Sequence, residues 1–152
     1  MNFETVADIL DHAKKFHEEL SRVYARLGEA SEREKMKVLL NYMSRHEEHL
    51  VECLTAMESD ASKLTLDTWF KYTPKEPRCD CFKRAEIDPS MTFEEIIDGT
   101  LEVDKGLLDF YHAAVEKAVS PEVKEFFTEV LELEKREEVE CLRNALLFDQ
   151  QS

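Results

Sequence analysis

Histidine and carboxylate side chains interrupt four otherwise apolar helical patterns near the middle of each pattern. In the first pattern the apolar positions continue from Ala13 to Leu20 through His17, and the other three are interrupted in the same way. The residues at these interruptions are His17, His46, His49, Asp104, Glu134 and Glu137. An ionised carboxylate in a protein core costs several kcal/mol unless a partner compensates its charge. Either pairing of His⁺ with carboxylates or a transition-metal ion would do so, and we favour the metal ion because both side-chain types are metal ligands.

Four helices are predicted to carry these residues. Their expected bounds, from apolar residues spaced by threes and fours, are about 3–27, 31–58, 92–118 and 120–148. The chain has only 3 glycines and 4 prolines, and 36% of its residues are charged, which favours long helices over strands. The expected start signals are Asn2, Ser31 with Glu34, Thr92 with Glu95, and Ser120 before Pro121.

The connections between these helices are short, long and short. The long connection covers about residues 59–91 and contains Cys79 and Cys81, and its stretch 64–72 could form a short amphipathic helix on the bundle. This order is typical of two antiparallel hairpins joined by a crossover. We therefore predict an all-α four-helix bundle, one domain over residues 1–152. Counted from the turn of the first hairpin, His17 and His46 lie at slightly different depths in the bundle. Continuation of the first helix through Gly28 would reduce this difference.

The two halves of the chain also resemble each other. The tetrapeptide Val-Glu-Cys-Leu at 51–54 recurs at 139–142, an offset of 88 residues, whereas Tyr24 and Tyr111 are 87 residues apart. A duplicated helical hairpin accounts for both repeats if one residue was gained at the second turn.

On these residues the chain resembles the rubrerythrin branch of the ferritin-like proteins. That family's pattern in each half is a Glu seven residues before a Tyr, then Glu-x-x-His on the next helix. Seven residues before the two tyrosines this chain has His17 and Asp104, and the second element reads His-Glu-Glu-His at 46–49 and Glu-Lys-Arg-Glu at 134–137. The resemblance covers both hairpins and excludes the crossover. Of the family's six ligand positions, His49 and Glu134 keep the family's residue type.

The resemblance implies a ferritin-like bundle with a di-metal site, most simply of iron, that handles dioxygen or peroxide. In this chain the first half would offer one metal three imidazoles, and the second half would offer the other metal oxygen ligands, with Glu134 as the bridge. One or two iron ions are expected, with zinc and manganese as alternatives. An iron-dependent oxidoreductase or peroxidase is one outcome. A non-enzymatic metal-binding or scaffolding bundle with a structural or transported ion such as zinc is the other.

Several other polar residues are expected to be ordinary core or surface residues. Tyr24 and Tyr111 are expected to be core residues with hydrogen-bonded hydroxyl groups, and Cys53 and Cys141 to be small buried thiols. By helical phase, the carboxylates next to the candidate ligands should point to solvent. These are Glu18, Glu19, Glu47, Glu48 and Glu138.

Charge and composition disfavour nucleic acid and membranes as binding partners. A formal net charge of −14 disfavours nucleic acid and anionic membrane surfaces. No apolar run approaches the ~20 residues of a membrane span, and the acidic start does not resemble a signal peptide. We therefore expect a cytoplasmic protein with reduced cysteines whose partners are metal ions and an oxidant. A homo-oligomer is compatible with these features.

Overall fold

The computed structural model describes residues 3–77 and 90–149, together with the backbone of Gln150. Within these residues the fold is all-α, as predicted. The helices are α1 (Val6–Ala30), α2 (Glu34–Asp60), the short α3 (Lys63–Leu66), α4 (Phe93–Glu116) and α5 (Pro121–Gln150). The first helix does continue through Gly28. None of the helices in the described ranges combines the length and the apolar character needed to cross a membrane.

The long helices form two antiparallel hairpins. Along the first hairpin, residues later in α1 pair with residues earlier in α2: Lys14 with Glu58, His17 with Glu47, and Ser21 with Ser44. In the second hairpin α4 packs against α5, and α5 also packs against α2. The apolar faces of all four helices meet in one hydrophobic core. This packing brings the middle of each helix, where the polar interruptions lie, to the centre of the bundle.

Side-chain caps begin α1 and α4. Thr92 and Glu95 form the predicted capping box, in which the Thr92 hydroxyl accepts from the Glu95 amide at 3.1 Å. At the start of α1 the capping box is formed by Thr5 and Asp8, and the proposed cap at Asn2 lies outside the described residues. Each box satisfies amide groups that a helix start leaves without an internal partner.

The predicted capping box at Ser31 and Glu34 is wrong. The helix α2 begins at Glu34 after Arg33, whose side chain makes no capping hydrogen bond. Ser31 instead ends α1, where its amide donates to the Leu27 carbonyl at 3.1 Å. Continuation of α1 through Gly28 moved the turn by three residues, so the serine belongs to the end of one helix rather than to the start of the next.

The described part of the crossover lies against the start of α1. The predicted amphipathic helix is shorter than expected, because α3 ends at Leu66. Beyond it the chain is extended and the Phe70 amide donates to the Glu4 carbonyl at 2.8 Å. Phe70 is buried against Phe127, whereas Trp69 is exposed. The other part of the crossover, with Cys79 and Cys81, lies outside the described residues.

The buried positions of the two hairpins repeat at a constant offset of 87 residues. This offset relates α1 to α4 and α2 to α5 alike, so the predicted gain of one residue at the second turn is wrong. The tetrapeptides that suggested an offset of 88 differ in helical phase, since Cys141 is buried and Cys53 only partly so. Equivalent buried pairs are Leu20 with Leu107, Tyr24 with Tyr111, Met43 with Val130, Glu47 with Glu134, and Leu54 with Cys141.

Candidate metal centre

His17 lies between two carboxylates in the centre of the bundle. Its Nε2 is 2.8 Å from Glu134 Oε1, and its Nδ1 is 3.1 Å from Glu47 Oε1. All three side chains are buried, with 1% exposure for His17 and 5% for each glutamate. The imidazole of α1 therefore joins α2 of its own hairpin to α5 of the other. We call His17, Glu47 and Glu134 the central triad.

The central triad holds His17 as an imidazolium. Burial alone lowers the pKa of His17, but the carboxylates of Glu134 and Glu47 outweigh burial and set it well above its ordinary value. Both ring nitrogens then donate, which only the charged form of histidine can do. In the absence of a metal ion, this positive charge compensates the two carboxylates.

A second carboxyl pair lies beside the central triad. The half-buried Asp104 of α4 is hydrogen-bonded to Glu138 of α5. Burial, together with the negative charges of Glu47 and Glu138, raises the pKa of Asp104 well above its ordinary value. The raised pKa favours the neutral form of Asp104, in which its hydroxyl donates to Glu138 and two like charges do not face each other.

The carboxylates surround a small cavity. Its volume is about 20 Å³, enough for roughly one water-sized particle. Its metal-ligating side chains come from α2, α4 and α5, and its apolar wall includes Leu50 and Leu107. The residues that offer metal-ligating atoms from carboxylate or imidazole groups are His46, Glu47, Asp104, Glu134 and Glu138.

His46 faces this cavity as a neutral imidazole. Burial lowers the pKa of His46 from its ordinary value. Its ring stacks on Tyr42 with the centroids 6.3 Å apart, and the Tyr42 hydroxyl accepts from the Asn144 amide at 2.9 Å. A neutral imidazole is the form that coordinates a metal ion.

Two tyrosines complete the polar interior, and both are buried with hydrogen-bonded hydroxyl groups, as expected. The Tyr111 hydroxyl donates to Glu134 Oε1 at 3.1 Å, on the same oxygen that faces His17. The Tyr24 hydroxyl is 2.7 Å from Thr100 Oγ1. Burial raises the pKa of both tyrosines well above the ordinary value, so both are neutral phenols.

Four of the six sequence-predicted ligands meet in this region, and two lie apart. His17 and Glu134 belong to the central triad, while Asp104 and His46 line the cavity. His49 is 53% exposed, and its Nε2 lies 3.8 Å from Glu137 Oε1. Neither His49 nor Glu137 lines the cavity. Coordination of a metal by any of these six residues stays a prediction.

Two further carboxylates of the site were expected to face solvent. That expectation is wrong for Glu47, which is buried in the central triad, and Glu138 faces the cavity. The spacing of the two tyrosines contained the signal that would have placed Glu47 in the site. Applied to α5, the offset of 87 residues that relates Tyr24 to Tyr111 makes Glu47 the equivalent of Glu134.

The groups around the cavity fit a metal ion that prefers oxygen ligands. Four carboxyl groups and one imidazole surround the space. Iron and manganese accept this combination, and zinc binds the same donor types with fewer ligands. Coordination needs the deprotonated form of Asp104, so a bound cation would oppose the rise in the pKa of Asp104.

Comparison with known proteins identifies the fold. No protein-family model and no curated protein matches the chain. A solved structure from Thermotoga maritima, described as a candidate ferritin-like diiron-carboxylate protein, superposes with a TM-score of 0.61. The match covers 94% of this chain and 95% of that chain at 21% sequence identity. The chain therefore has the ferritin-like four-helix bundle fold.

Proposed function

We propose that the chain binds one or two iron ions in the cavity through the carboxylates of Glu47, Asp104, Glu134 and Glu138 and the imidazole of His46. The observation that supports this proposal is the convergence of these side chains on one small cavity. The Thermotoga protein with the same fold is described as a diiron-carboxylate protein, which favours iron over zinc. Manganese prefers the same donors and would be the main competitor.

In this proposal His17 positions two ligands. Its ring nitrogens engage Glu134 at 2.8 Å and Glu47 at 3.1 Å, and Tyr111 donates to the same oxygen of Glu134. Partners of this kind fix the orientation of a ligating carboxylate and tune its basicity. Because Glu47 and Glu134 belong to different hairpins, His17 also keeps the two halves of the site in register.

The proposed activity is reaction with dioxygen or hydrogen peroxide. Bound iron would supply the electrons for reduction of the oxidant. The carboxylates would favour the oxidised ion because they are anionic, and Asp104 would be deprotonated as a ligand. The apolar side chains of Leu50 and Leu107 restrict water at the same space. The cavity would thus admit a small oxidant and exclude larger substrates.

Elemental analysis and oxidation kinetics test this proposal. Protein purified without chelator should carry about one to two equivalents of iron, and the ferrous protein should consume dioxygen or peroxide faster than free Fe²⁺. Glu134→Gln should lose both properties, whereas Glu132→Gln, an exposed position on the same helix, should keep them. Protein that stays free of iron after incubation with Fe²⁺ would contradict iron binding. Bound iron that is inert to both oxidants would contradict the activity alone.

The central triad also favours a second candidate, a bundle that does not catalyse oxidation. The imidazolium of His17 compensates two buried carboxylates without any ion. A protein of this kind would act as a scaffold or hold a single structural or transported ion such as zinc. A rise in melting temperature with Zn²⁺ that Glu134→Gln abolishes, together with inertness of the iron-loaded protein, would support this candidate.

A further inference from the structure

A second group of metal-ligating side chains lies apart from the cavity. His49 and Cys53 are one turn apart on α2, and Glu137 faces them from α5. One ligand atom from each residue lies within 4.8 Å of the other two. His49 is exposed, whereas Cys53 and Glu137 are partly buried. We call these three residues the rim cluster.

We propose that the rim cluster is a separate binding site for a borderline divalent cation such as Zn²⁺. The donor set of one thiolate, one imidazole and one carboxylate suits zinc, and the exposed side leaves a fourth position for water. The site differs from the cavity in its exposed position and in its single carboxylate, whereas the cavity is lined by four carboxyl groups and the buried Cys141 thiol. The proposal does not depend on the nature of the metal in the cavity, or on whether the cavity binds one.

The distances in the rim cluster are close to those of a formed site. His49 Nε2 lies 3.4 Å from Cys53 Sγ and 3.8 Å from Glu137 Oε1. Around a tetrahedral zinc ion, with Zn–S near 2.3 Å and Zn–N near 2.0 Å, a nitrogen and a sulfur are about 3.5 Å apart. Small side-chain rotations would therefore suffice for coordination, without a change of the backbone.

A cation in the rim cluster would link the two hairpins. Cys53 and His49 belong to the first hairpin and Glu137 to the second, so binding would stabilise the packing of α2 against α5. Burial and the carboxylates of Glu137 and Glu134 raise the pKa of the Cys53 thiol. The thiol therefore keeps its proton in the metal-free molecule, and binding would release it.

Titration with Co²⁺ tests the rim cluster, because cobalt reports a thiolate ligand by a charge-transfer band in the near ultraviolet. The native protein should show this band, and Zn²⁺ should remove it by competition. Cys53→Ser should abolish it, and Glu137→Gln should weaken Co²⁺ binding by about tenfold or more. Cys141→Ser is the matched control. Cys141 is buried on the other hairpin, and it lies one residue after the position equivalent to Cys53.

Further variants separate this site from other thiols and from the cavity. The band should persist in the double variant Cys79→Ser/Cys81→Ser and in Glu134→Gln, which removes a cavity carboxylate. A band that survives Cys53→Ser, or that is lost in the double variant alone, would overturn the proposal. Binding of Co²⁺ to the native protein without a thiolate band would also overturn the proposal. Loss of iron from Glu134→Gln with an intact band would leave the two sites independent, as proposed.

Discussion

Glu47 and Glu134 occupy equivalent positions in the two hairpins and face each other across the ring of His17. Their Oε1 atoms lie 3.1 Å and 2.8 Å from the two ring nitrogens. The symmetry ends at the residue between them, because the position equivalent to His17 is Asp104, 87 residues later. One half of the core therefore supplies a cation, and the other half supplies an acid whose pKa is raised by burial. The bundle thus stabilises a carboxylate-rich interior in the absence of metal.

Removal of the His17 imidazole should destabilise metal-free protein strongly. His17→Leu leaves Glu47 and Glu134 buried without their cation, and we expect a loss of about 3–5 kcal/mol in the free energy of unfolding. The matched control is His12→Leu. His12 also lies between two carboxylates, Glu4 and Glu76, both at 2.8 Å, but this group is more exposed, with 22% exposure for His12 and 61% for Glu76.

The control should cost less than His17→Leu, because solvent screens a partly exposed pair more than a buried one. Urea denaturation of chelator-treated protein measures both variants. Equal losses in the two variants would show that burial does not decide the strength of these pairs. The triple variant His17→Leu/Glu47→Gln/Glu134→Gln should recover part of the stability, since it removes the unpaired charges.

Rising pH should weaken the metal-free fold through Asp104. Its pKa is raised by folding, so its contribution to stability is complete below the unfolded pKa and is lost as pH rises through the folded pKa. The loss begins near the ordinary aspartate pKa of about 3.9. Asp104→Asn cannot ionise, so the native protein should lose stability relative to this variant as pH rises. A difference between the two unfolding free energies that does not change with pH would contradict the shift.

Neutralisation of Glu47 should reduce iron binding, whereas neutralisation of its neighbour should not. Glu47 is buried in the central triad, whereas Glu48, the next residue of α2, is exposed. We expect Glu47→Gln to bind Fe²⁺ at least about tenfold more weakly than the native protein. Glu48→Gln should bind it normally. Anaerobic calorimetric titration measures both affinities, and an equal effect of the two substitutions would place the metal elsewhere.

The start of α4 should depend on its cap more than the start of α2 does. Thr92→Ala removes the hydroxyl that accepts from the Glu95 amide, and we expect a cost of about 1 kcal/mol. Arg33→Ala should cost less, because Arg33 makes no side-chain capping bond. Thermal unfolding of the two variants measures the contrast. A larger effect at Arg33 would indicate that its 2.8 Å bond to the Met91 carbonyl matters more than the cap.

The sequence was sufficient to predict the fold because its signals are long and redundant. Each helix carries many apolar residues at helical spacing, and Thr92 with Glu95 marks a start that the structure confirms. Errors of a few residues, as at Ser31, do not change which helices pair. The four-helix topology follows from the lengths of the connections, which tolerate such errors.

The composition of the site was harder to predict because it depends on helical phase. A shift of one residue rotates a side chain by about 100° about the helix axis. The repeated tetrapeptide favoured an offset of 88 residues, which pairs Glu134 with His46 rather than with Glu47. In the folded structure the buried positions repeat at an offset of 87 residues, so Glu47 faces the core and His49 faces solvent. No local pattern in α2 distinguishes these two phases, since both place metal-ligating residues near the core.

The position of bound iron in a crystal gives the most direct test of the proposed centre. Crystals of iron-incubated protein, measured at the iron absorption edge, should show an anomalous peak inside the cavity. We expect it within about 2.0–2.5 Å of carboxylate oxygens from both hairpins, Glu47 on one side and Glu134 on the other. A cavity without any anomalous peak, with His17 still bonded to both glutamates, would contradict the proposal.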